Sequence, residues 1–135
     1  MNGSLPEPED LTSLVLRTDF ADDRAWAALR EAVGDDDATF VDDRRYEGVT
    51  VAELVEADRA APDVEKVVYV FLADGTTMTD AERPLLAVDL HDGRTLRLPP
   101  RWFEDMSANL CLGNVDFDEF AGSADESGTY RGVGG

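Results

Sequence analysis

Arg17-Thr18-Asp19-Phe20 sets a guanidinium two residues from a carboxylate, between a β-rich run, Ser13 to Thr18, and the acids that open a helix at Asp22. Ligands of α/β sheets tend to gather beyond the carboxyl ends of strands, so Arg17 or Asp19 is placed to meet a small anion or polar ligand. The rival is an internal ion pair, with Arg17 reaching a distant carboxylate such as Asp116. Arg101-Trp102 is a second candidate, because Trp beside Arg is a common pairing at interfaces. In Asn114-Val-Asp116-Phe-Asp-Glu-Phe120 the spacing imitates the end of a calcium loop, with Gly113 at the glycine position. Counting back puts Ala108, Leu110 and Leu112 where side-chain oxygens are required, so calcium is not expected there. Capping of a short helix by Asp116, with Phe117 and Phe120 in the core, accounts for the segment.

His91 is the only histidine, so catalytic triads and two-histidine metal motifs lack a second member. Cys111 is the only cysteine. It allows no internal disulfide and no cysteine zinc site, and between two leucines it reads as a buried, inert thiol. The acids of Asp35-Asp36-Asp37 and Asp42-Asp43 are expected to be solvated rather than to hold a metal. No glycine-rich phosphate loop follows the first strand, which argues against a nucleotide. No cofactor and no metal is expected. The favoured reading is a non-catalytic domain that binds a protein or a small polar ligand. Its alternative is a small carboxylate-dependent enzyme in which the fold unites Asp19 and Asp116 as acid and base or as metal ligands.

These residues need elements to position them. Acids in the first turn, Trp26, Leu29 and Val33 at helical spacing, and Gly34 as a stop predict a helix over 22–33. A weaker strand is expected around Thr39 to Val41. Thr50 and Glu53 match a capping box and Val49 and Leu54 a staple, so a second helix runs about 51–60. Val67 to Ala73 is apolar on both alternating faces and suits a buried strand. Residues 74–84 are expected to form a loop with one helical turn. Residues 85–98 form a hairpin. A three-residue loop, His91-Asp92-Gly93, puts Val88 opposite Leu96 and Leu86 opposite Leu98, leaving Asp89, Thr95 and Arg97 outward. The segment 101–112 is open between helix and strand, and a short helix follows at about 117–122. The order predicts an α+β domain: a mixed sheet of about five strands packed by two main helices and a short C-terminal helix. Residues 1–12 are expected to be a flexible acidic arm, 13–132 the domain and 133–135 a tail.

With 30 acidic residues against 12 basic ones and a net charge of −18 over 135 residues, no third of the chain is basic. A phosphate-tracking surface needs clustered cations, so nucleic acid and anionic membrane are excluded as partners. No run of apolar residues is long enough for a membrane span, and the first ten residues carry no signal pattern, so a cytoplasmic location is expected. The acidity itself fits either a salt-adapted proteome or a GC-rich genome.

Several landmarks together resemble a bacterial and fungal family of uncharacterised domains. They are Arg17-Thr18-Asp19-Phe20, Asp22-Asp23 with Trp26, Asn114-Val-Asp116-Phe-Asp-Glu-Phe120 and Tyr130-Arg131-Gly132. The resemblance spans roughly residues 13–132 and implies no activity. It does imply that the closing segment belongs to the domain, so that Arg131 docks.

Overall fold

A computed structural model describes residues 5–9, 11–112 and 117–130 of the chain. Five strands form one sheet in the order β2-β1-β3-β4-β5. They are β1 (Ser13–Arg17), β2 (Ala38–Val41), β3 (Tyr69–Ala73), β4 (Leu85–Asp89) and β5 (Thr95–Leu98). The helices are α1 (Asp23–Val33), α2 (Val51–Ala60), α3 (Gly75–Thr79), α4 (Phe103–Leu112) and α5 (Phe117–Gly122). β1 runs parallel to β2 and β3, while β3-β4 and β4-β5 are antiparallel, which makes the expected mixed α+β sheet.

The chain steps outward from β1 to β2, then back past β1 to β3. Right-handed crossovers in opposite directions put their helices on opposite faces. Trp26 and Leu29 of α1 accordingly pack with Val15, Phe71 and Ala87, whereas Leu54 of α2 packs with Leu14, Leu16, Val70 and Leu72. Alternate residues of the central strands therefore enter two different cores, and both faces are apolar. α4 and α5 add Phe103, Met106, Phe117 and Phe120 to the α1 side, and Leu5, ahead of the first strand, is buried on the α2 side. Among the described residues no helix is long and apolar enough to cross a membrane.

Local chemistry explains the helix starts. Asp22 accepts from the backbone N–H groups of Arg24 and Ala25, and Gly34 closes α1 at φ +81°. Thr50 and Glu53 form the reciprocal capping box of α2. α4 resolves the ambiguous segment as helix: Phe103, Met106 and Leu110 share one stripe at helical spacing.

Two expectations are corrected. The hairpin pairs Leu85 with Leu98, Leu86 with Arg97, Ala87 with Leu96 and Val88 with Thr95, one residue away from the expected register. Its loop is Leu90 to Gly93, because the N–H of Asp89 bonds the carbonyl of Arg94 and Gly93, at φ +82°, donates to the carbonyl of Asp89. Asp89 is buried and Arg97 pairs with Asp74, so neither faces outward unpartnered. β3 begins at Tyr69 rather than Val67. The carboxylate of Asp58, buried on α2, accepts from the N–H groups of Val67 and Val68 at 2.7 and 3.2 Å, and Val68 turns through φ +72° before the strand starts.

The far edge of β5 is covered. The N–H of Arg97 bonds the carbonyl of Gly128, and Tyr130 returns a bond to the carbonyl of Arg97, so residues 128–130 lie along the strand.

Candidate functional site

The strand order reverses at β1, and at the carboxyl ends of β1 and β3 the turns Thr18-Asp19-Phe20-Ala21, Glu47-Gly48-Val49 and Asp74-Gly75 enclose an open crevice of about 500 Å³. Backbone bonds tie the three turns together. Thr18 and Asp19 donate to the carbonyl of Ala73, and Gly48, at φ +71°, donates to the carbonyl of Thr18. Gly75 gives the crevice its width: a β-carbon there would stand 3.3 Å from Oδ2 of Asp19. Asp19 holds its own turn, its Oδ1 accepting from the N–H of Ala21 at 2.9 Å.

Three carboxylates line the crevice. Asp74 is the most constrained, with Oδ1 and Oδ2 taking the two Nη groups of Arg97 at 2.8 and 2.9 Å while Oδ1 also caps Thr77 of α3. Burial pushes its carboxyl upward. The Arg97 hydrogen bond, the Thr77 N–H and the Arg97 charge outweigh that and hold it below the ordinary aspartate range. Glu47 is exposed and stands 3.8 Å from Nη1 of Arg44.

Arg17 does not open into this space. It is 2% exposed, its Nε donates to the carbonyl of Asp19, and its Nη groups reach Asp23 at 2.8 Å and Asp42 at 3.4 Å. Its guanidinium lies 4.5 Å from the Phe20 ring centroid and 5.6 Å from that of Trp26. Arg17 thus shapes the turn that carries Asp19, and its carboxylate partners come from the start of α1 and the end of β2.

Arg101 is exposed, with its guanidinium 5.7 Å from the Trp102 ring. Trp102 is half-buried, edge-on to Tyr130, and its Nε1 is buried without a hydrogen-bond partner among the described residues. The two therefore sit at the start of α4, not at the crevice. Asn114, Asp116 and Arg131 lie outside the described residues. Phe117 stacks on Tyr69 at the start of β3, the opposite end of the strand from Asp74, and Asp118 pairs with Arg94 at the hairpin turn. His91 is exposed in that turn, as its position in the sequence implies. Cys111 is corrected from buried to exposed, its Sγ donating to the carbonyl of Thr12 at 3.5 Å. Among the described residues no group of three or more His, Cys, Asp or Glu side chains is arranged to hold a metal.

Glu47, Gly48, Asp74 and Gly75 were not singled out by sequence reasoning. For the last two a signal was present: Asp-Gly directly after the apolar run that ends at Ala73, with Thr77 at capping distance.

The family model described as "Domain of unknown function (DUF6924)" matches residues 12–133. No curated protein matches the chain.

Proposed function

We propose, from the premise that this chain belongs to the DUF6924 family and takes no activity from that membership, that it is a non-catalytic binding module. Its ligand site is the crevice at the carboxyl ends of β1 and β3, and its ligand is a small polar group bearing an amine or a guanidinium. The position of the crevice where the strand order reverses carries this reading, because there the turns diverge and leave backbone and carboxylates facing one space. The carboxylates favour binding over proton transfer. A general acid at neutral pH needs its pKa raised toward 7, whereas Asp74 is held ionised by Arg97 and Asp19 uses one oxygen to brace its own turn. A surplus of negative charge over the whole chain would also raise the local concentration of a cation.

The test is a titration of the full chain with methylguanidinium and butylammonium, urea serving as the neutral control, followed through the amide resonances of Thr18, Gly48 and Gly75. Saturable shifts at those three positions are expected below about 10 mM, absent with urea and weakened by Asp19→Asn at unchanged melting temperature. Shifts that do not saturate, or that survive Asp19→Asn undiminished, overturn the assignment.

A further inference from the structure

A second groove, of about 370 Å³, lies on the α1 side of the sheet. Ala28 and Ala32, one turn apart on the exposed side of α1, line it with Pro99 and Pro100, and the segment Ala81-Glu82-Arg83 and Arg101 complete the lining. Arg24 stands one turn ahead of Ala28 on the same helix face.

The arginines are the unusual feature. With 30 acids to 12 bases, an arginine of this chain readily finds a carboxylate, and Arg17, Arg30, Arg44, Arg45, Arg94 and Arg97 each do so within 4 Å. Among the described residues Arg24, Arg83 and Arg101 have no ion pair. Arg83 gives one Nη to the carbonyl of Met78 at 2.9 Å, and Arg101 lies against Trp102. Arg59, also outside the ion pairs, is taken by the carbonyl of His91 on the other side of the molecule. Glu82, the carboxylate in the groove lining, is itself engaged. Guanidiniums that pair with no carboxylate among the described residues, gathered in one place on so acidic a protein, are complementary to carboxylates brought from outside.

We propose that this groove docks an extended acidic segment of a partner protein, with its carboxylates on Arg83 and Arg101 and small apolar side chains against Ala28, Ala32 and the two prolines. A peptide suits the site better than a polyanion. A nucleic acid strand brings a charge every few ångströms along its length into the field of the −18 chain, whereas a peptide confines its charges to the groove. Screening over about 8 Å at physiological ionic strength then removes most of the repulsion from the remaining surface. The apolar floor would contribute nothing to a bare anion but adds buried area for a peptide.

The experiment uses the full chain at physiological ionic strength and a fluorescein-labelled peptide in which Glu alternates with Ala and Pro. Its comparators are the same peptide with Gln for Glu, inorganic phosphate, and a single-stranded oligonucleotide. Expected are saturable anisotropy with the Glu peptide below about 1 mM and amide shifts at Ala28, Ala32, Arg83 and Arg101. Arg101→Gln should weaken binding about tenfold or more, and Ala28→Glu, an exposed helix position, should abolish it without lowering the melting temperature. Equal binding of the Gln peptide, shifts confined to other residues, or the same shifts from phosphate or the oligonucleotide at equal concentration would each refute the proposal.

Discussion

Arg17 sits where a cation is costly unless every N–H is used, since a buried guanidinium loses its hydration and must recover it from the protein. Its recovery is mixed. Asp23 is 87% exposed and Asp42 47% exposed on their side chains, so these pairs are screened and contribute modestly. The bond to the carbonyl of Asp19 and the stacking on Phe20 and Trp26 are shielded and carry more. Arg17→Met keeps the apolar stem and removes the guanidinium, and is expected to lower stability by about 1–3 kcal/mol. Chemical denaturation checks this; an unchanged midpoint would mean that the guanidinium's desolvation cancels its contacts. The residue type alone marked Arg17 as important. Its partners did not show in the sequence, because Asp23 and Asp42 come from two different elements that only the fold brings to one strand end. Trp102 illustrates the same limit, since whether an indole meets a partner or lies edge-on to Tyr130 depends on where residues 128–130 return to the sheet.

At the scale of elements, Asp74 does two jobs at once. It caps α3 and clamps β5 through Arg97, so it holds the β3 turn against the far side of the antiparallel half of the sheet. Because its folded pKa lies below the ordinary value, the stabilisation is present above the unfolded pKa of about 4 and is lost as pH falls through the folded one. Asp74→Asn should therefore cost about 1–2 kcal/mol at neutral pH, and the gap to the parent chain should close as pH drops below about 4. Urea titrations across that range measure it, and a gap independent of pH would show that the cap, not the charge, is what matters. Helix starts were legible because a cap is a local bond between neighbours in sequence, as at Asp22 and Thr50. The hairpin register was not. Matching apolar residues across the hairpin assumes a single buried face, but Leu85, Ala87, Leu96 and Leu98 enter one core while Val88 enters the other. With both faces apolar, pattern no longer selects the register, and the bonds of Asp89 with Arg94 and Gly93 decide it.

For the molecule as a whole, a net charge of −18 means that folding gathers like charges, and salt should relieve the strain. Among the described residues most of the ion pairs are at least half exposed on one side and offset little of this repulsion. The melting temperature is expected to rise as sodium chloride goes from about 0.01 M to about 0.5 M, where the screening length contracts severalfold. Scanning calorimetry over that series checks it, and a flat or falling trend would mean that specific pairs outweigh the general repulsion. Composition, periodicity and caps by themselves determined the acidic character, the α+β class and most of the elements, because each rests on residue chemistry or on neighbours within a turn or two. The tertiary structure decided which strands are neighbours, that Arg17 turns inward while Asp19 lines a crevice, and that Arg83 and Arg101 share a groove. Those outcomes depend on contacts between segments far apart in the chain, which are fixed only when the two cores close on either side of the sheet.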